Sequence, residues 1–186
     1  MDLYEKFQRG LPYEAFLARY ANEGQKERWR KMRQQIALTN EQQKLLAGFT
    51  RQMNVLCLAG AWCGDCINQC PMFEHFAQAA PVIQVRYLDR DDHADVQREL
   101  ELNGGRRVPV VIFLSEDGFE VCRYGERTLS KYRQMMRDQA GDTCSTGIVV
   151  PGDSLLAAVT QDWLNEFERV QWLLRLSPRL RQVHGD

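Results

Sequence analysis

Apolar and polar positions change rhythm twice along the chain. From residue 1 to 53 large side chains recur three and four apart. Tyr13, Phe16, Leu17 and Tyr20 make one set, Trp29, Met32 and Ile36 a second, and Leu45, Leu46 and Phe49 a third. That is the spacing of a helix face. Pro12 suits the opening of the first helix, Gly24 marks its break, and Thr39-Asn40-Glu41-Gln42 offers a capping box for the third. Short apolar runs then take over. Val55 to Ala59, Val82 to Leu88 and Val110 to Leu114 read as buried strands, and Glu116-Asp117-Gly118 as a hairpin turn into a fourth, Phe119 to Tyr124. Helical segments follow the first strand, the second (from an Asp92 cap to about Leu102, closed by Asn103-Gly104-Gly105) and the fourth, to about Asp138. Turn residues fill 141 to 152. Asp153 is placed to cap a long helix from Ser154 to about Leu176, striped by Leu156, Val159, Trp163, Phe167, Val170 and Leu174. The tail from Ser177 onward reads as loose. The central order, β-α-β-α-β-β-α between helical ends, is α/β.

Composition changes this picture little. At 186 residues, 44% hydrophobic and 26% charged, the chain suits one domain with additions. The expected division is a helical extension over 1–53, an α/β unit over 54–138, and a loop and helix over 139–186 packed on the same unit. A net charge of −1 leaves no basic excess for nucleic acid or anionic membrane. Lys26 to Arg33 is a basic stretch diluted by glutamates and glutamines, read as a solvated helix face. The longest uncharged apolar stretch, Val55 to Cys63, is far shorter than the roughly 20 residues of a membrane span. No positively charged segment leads into an apolar core at the N-terminus, so a cytoplasmic protein is expected. The oligomeric state is not legible.

Candidate chemistry sits where the first strand ends. Trp62-Cys63-Gly64-Asp65-Cys66 places a C-x-x-C at a strand-to-helix junction, the redox setting of paired cysteines. Free N–H groups at a helix N-terminus favour a thiolate at Cys63, and Cys66 lies one turn on, close enough to close a small disulfide. Gly64 permits the tight entry. Pro71 lacks the N–H that would bond the Ile67 carbonyl and bends the helix.

These residues resemble the thioredoxin superfamily over roughly Met53 to Asp138. The resemblance rests on Trp62-Cys63-Gly64-Asp65-Cys66, Pro71, Val108-Pro109, the Asp117-Gly118 hairpin and Gly125, in the family's element order. The flanking helices further resemble a bacterial group with an N-terminal helical extension and W-C-G-D at the site. The resemblance implies a thioredoxin-like fold, with a central mixed sheet of about four strands flanked by helices and extra helices at both ends. It implies thiol–disulfide exchange, Cys63 attacking and Cys66 resolving. Trp62, Val108 and a cis Pro109 would meet the substrate, supported by Gly64, Asp65 and Pro71. Disulfide-containing proteins are the expected substrates and a thiol or a reductase the electron donor, with no cofactor or metal beyond the Cys63–Cys66 disulfide.

Three positions depart from thioredoxin proper. The buried aspartate that accepts the resolving cysteine's proton is matched by Cys57, its partner lysine by Val85, and the usual proline of the motif by Asp65. A carboxylate at Asp65 disfavours the neighbouring thiolate. Arg106 and Arg107 are placed to offset it, to select acidic substrates, or simply to be solvated. Cys70 is read as a small buried side chain, with a third redox thiol as the other option. Cys57, Cys122 and Cys144 are assigned to packing, and His75, His93 and His184 show no metal spacing. Two rival readings stay open. Cys63-x-x-Cys66-x-x-x-Cys70-Pro71 matches the end of a bacterial ferredoxin run, so iron–sulfur or zinc binding is one. A non-catalytic partner-binding module using the terminal helices is the other.

Overall fold

The computed structural model describes residues 1–140 and 154–186. The apolar run before the motif forms β1 (Met53–Ala59), buried at every position. Both its faces and both its edges are covered, which is why it reads as a continuous hydrophobic run. On one edge β2 (Ile83–Asp89) pairs with it in parallel; on the other β3 (Val110–Leu114) runs antiparallel, and β4 (Glu120–Gly125) completes the order β2-β1-β3-β4. The expected mixed four-stranded sheet is therefore present. The parallel β1–β2 pair requires a crossover, supplied by α5 (Gly64–Ala79).

Four helices precede the sheet: α1 (Leu3–Arg9), α2 (Tyr13–Tyr20), α3 (Glu23–Gln35) and α4 (Asn40–Ala47). The capping box at Thr39 and Gln42 is formed as the sequence suggests. The break assigned to Gly24 falls earlier. Asn22 and Gln25 make a second capping box that starts α3, so Gly24 lies inside its first turn. The side-chain cap outranks the glycine as a boundary signal because it satisfies orphan N–H groups. Between α1 and α2 the chain touches the sheet. Leu11 exchanges both backbone hydrogen bonds with Tyr87, at 2.9 and 2.8 Å, on the outer edge of β2.

Beyond β2, α6 (Ala94–Glu99) begins at His93. Asp92 does not cap it; its carboxylate instead accepts the Tyr20 hydroxyl at 2.8 Å. After β4 come α7 (Leu129–Ala140) and α8 (Leu155–Arg175), the latter capped by Ser154. The expected loop 141–152, its Cys144 and the Asp153 cap lie outside the described residues. The α8 stripe docks on the chain's own core. Trp163 meets Phe73 at 4.8 Å between ring centroids, and Phe167 meets Phe73, Phe76 and Phe113 at 5.0–5.6 Å. Each such buried ring contributes about 2–3 kcal/mol. The tail is not loose: α9 (Pro178–His184) starts at a Ser177 cap, buries Leu180, and ends with Asp186 paired to Arg51.

Candidate functional site

Cys63 occupies the N-cap position of α5, and its backbone N–H donates to the Gly60 carbonyl at 3.0 Å. This short turn leaves the sulfur half-buried at the surface while Cys66, one turn inward, is fully buried. A Cβ at Gly60 would stand 2.8 Å from the Trp62 ring, so a larger residue here would displace the indole from the turn. Trp62 lies over the turn with 44% of its surface exposed. Its indole N–H reaches the Asp91 carboxylate at 3.3 Å, and the Arg90 guanidinium sits 4.5 Å from its ring centroid. Asp91 and Asp92 are held in turn by their N–H groups bonding the Asp89 carboxylate.

Val108-Pro109 is cis, in line with the resemblance, and the Val108 carbonyl accepts the Cys63 thiol at 3.5 Å. Gly125 packs directly behind this peptide. Its φ is +155°, and a Cβ there would stand 2.5 Å from the Pro109 carbonyl oxygen, so no other residue fits. Pro71 lies buried within α5 and Gly64 in its first turn.

The two sulfurs of the motif behave as one unit. Hydrogen bonding with Cys66, and then burial, push the Cys63 thiol up, while the N–H groups of Cys66 and Asp65 draw it down. Burial raises the Cys66 thiol, but hydrogen bonds from Cys63, Cys70 and the Gly60 N–H (3.5 Å) outweigh it and bring it down. The two directions are opposite and coupled: negative charge is favoured on the buried Cys66 sulfur and disfavoured on Cys63. Negative charge belongs to the pair and not to Cys63 alone, yet only Cys63 meets solvent.

Asp65 is paired, though with neither arginine suggested by the sequence. Arg127 holds its carboxylate at 2.7 Å. Arg127 also bonds Glu126 at 3.0 Å, which faces Arg107 at 3.6 Å, while Arg106 turns to Glu101 at 3.4 Å. The charge next to the thiols is therefore largely neutralised.

Two tryptophans from the flanking helices brace the site, and neither role is visible in the sequence. The buried Trp29 of α3 donates its indole N–H to the Ala61 carbonyl at 2.8 Å, one residue before Trp62. Trp163 of α8 donates to Gln69 of α5 at 2.9 Å, and Gln69 in turn donates to the Glu126 carbonyl at 2.9 Å. The only signal in the sequence is their place on apolar stripes, where a tryptophan N–H needs a partner once buried.

Behind the motif, Cys57 and Cys70 are fully buried with their sulfurs 3.7 Å apart. Burial holds both thiols above their ordinary range. Cys122 is half-buried beside Arg169. His75 bonds the Arg33 carbonyl, His93 opens α6 and His184 faces Glu116. Among the described residues, no group of three or more His, Cys, Asp and Glu side chains is arranged to hold a metal ion, and no helix is long and apolar enough to cross a membrane.

Comparison with known proteins agrees on the architecture. A protein of unknown function from Pseudomonas aeruginosa superposes with a TM-score of 0.68 at 19% identity, over 88% of this chain and 95% of that one. An HIV epitope-scaffold superposes with a TM-score of 0.62 at 18% identity, over 100% and 99%. At such identities the likeness is one of fold, and the second match spans the whole chain, terminal helices included. No curated protein matches. The thioredoxin family model matches residues 10–140, which takes in the α2–α4 helices, the sheet and both cysteines of the motif: the chain is a member of the thioredoxin family.

Proposed function

We propose that the protein is a thiol–disulfide oxidoreductase that reduces protein disulfides through Cys63 and Cys66. One observation carries this reading: an accessible sulfur at a helix N-cap, beside the backbone of Val108, stands one turn from a buried sulfur that receives the Gly60 N–H. Cys63 attacks one sulfur of the substrate disulfide, and the other sulfur leaves as a thiolate and takes up a proton. Cys66 then attacks Cys63, a Cys63–Cys66 disulfide forms, and the second substrate thiol is released. The Gly60 N–H and the neighbouring thiols favour the Cys66 thiolate, the task that falls to a buried aspartate in thioredoxin proper. Trp62 supplies an apolar surface and the Val108 backbone a hydrogen-bonding edge for an extended substrate segment. A thiol or a reductase returns the pair to the reduced state, which suits a reducing compartment such as the cytoplasm.

The test is a redox titration across dithiol buffers of known potential, with thiol counting. A reversible two-electron transition that vanishes in Cys63→Ser supports the reading. Thiols that never pair at any potential would overturn it and favour a partner-binding module.

A further inference from the structure

We propose that Cys57 and Cys70 form a second redox pair, buried behind the first and oxidised through Cys66. The proposal rests on Cys63 and Cys66 working as a disulfide pair. Four of the chain's cysteines fall in a continuous line from surface to core. Cys63 meets solvent at the N-cap of α5, Cys66 lies buried in the first turn with the Gly60 N–H on its sulfur, and Cys70, one turn further, touches Cys57 at 3.7 Å. The line arises because Cys66 and Cys70 are one turn apart on α5 and Cys57 faces that helix from β1. A disulfide between the last two needs roughly 1.7 Å of approach, from 3.7 Å to the bond length of about 2.0 Å.

The steps balance without any outside reagent. Starting from the Cys63–Cys66 disulfide, Cys70 attacks the Cys66 sulfur. A Cys66–Cys70 bond forms, the Cys63–Cys66 bond breaks, and Cys63 leaves as a thiolate that takes up the proton given by Cys70. Cys57 then attacks Cys70. The Cys57–Cys70 bond forms, the Cys66–Cys70 bond breaks, and Cys66 takes up the proton given by Cys57. Cys57 and Cys70 end oxidised, Cys63 and Cys66 reduced, and no electron leaves the chain.

Direction and rate follow from the surroundings. A pair whose thiolate is stabilised gives up its disulfide readily, as the reduced form is favoured. The front pair has that character, whereas burial keeps the rear thiols neutral. The disulfide therefore moves inward, slowly, because a neutral thiol is a poor nucleophile. Full burial of Cys57 and Cys70 leaves Cys66 as their contact with the redox exterior. The consequence is a chain that holds four reducing electrons instead of two.

The experiment mixes fully reduced protein with excess oxidised glutathione, quenches with acid over time, and maps disulfides by peptide mass spectrometry. The expected result is a Cys63–Cys66 disulfide first, then a Cys57–Cys70 disulfide at least about ten-fold more slowly, with two equivalents of glutathione disulfide consumed by these four cysteines. In Cys66→Ala the Cys57–Cys70 disulfide should be absent over the same period. A chain that stops at Cys63–Cys66, leaving Cys57 and Cys70 as thiols, overturns the proposal but not the oxidoreductase reading. Equally fast oxidation of the rear pair in Cys66→Ala also overturns it. If none of the four pairs, both readings fall.

Discussion

The two neighbouring pairs of thiols each draw on α5, in opposite settings. The front pair lies at the N-terminus of α5, with backbone N–H groups, a paired carboxylate and an exposed indole around it. The rear pair is sealed between α5 and β1, where the Tyr87 hydroxyl closes over the Cys70 carbonyl at 3.2 Å. The same functional group thus meets opposite surroundings: backbone N–H groups and access to solvent at one pair, exclusion of water at the other.

The largest expected effect is on the front pair. Cys63→Ser should reduce disulfide reduction to background in an insulin-reduction assay, while leaving thermal stability unchanged. Retained activity would move attack to another sulfur.

Next come the braces that keep the two settings distinct. Trp29→Ala empties a fully buried ring site beneath the motif and frees the Ala61 carbonyl. Such truncations cost about 3–5 kcal/mol, measurable by urea denaturation. Trp163→Phe keeps most of the ring but leaves the Gln69 oxygen without its donor, for about 1–3 kcal/mol.

The smallest effect sharpens the electrostatic side. Alkylation of Cys63 by iodoacetamide should rise with pH, with a midpoint held above that of an ordinary thiol by hydrogen bonding with Cys66 and by burial. Arg127→Met leaves the Asp65 carboxylate unpaired next to the sulfurs. A bare negative charge disfavours thiolate, so the midpoint should move upward by about one unit, with slower alkylation at neutral pH and little change far above it. An unchanged midpoint would mean that Asp65 does not act on the pair.

Local patterns carry most of the fold. The strands are short apolar runs bounded by turn residues, and the Thr39 box and α8 stripe depend only on neighbours within a turn or two. The front pair is legible for the same reason, since Cys63 and Cys66 are adjacent on one turn. The rear pair is not. Cys57 and Cys70 are 13 residues apart, on a strand and a helix whose relative rotation no local rule sets, so each looks like an isolated packing residue. Arg127 is hidden likewise, being brought to Asp65 only by the turn after β4, whereas Arg106 and Arg107 look closer along the chain. For α9 the signal is present: Ser177-Pro178 is a cap followed by a favoured first-turn residue, although its nearness to the terminus suggests a loose tail.

The contact of Leu11 with the outer edge of β2 has a consequence for assembly. A strand at the rim of a sheet presents unpaired amides and carbonyls on which another molecule can add a strand, and from there a fibre can grow. Leu11 takes both backbone groups of Tyr87 in the middle of that rim. The connection between α1 and α2 therefore works as a stopper, interrupting the template at its centre, so a visiting strand finds no continuous ladder there. A chain lacking its first twenty residues would expose that rim and should scatter more light on incubation than the intact protein.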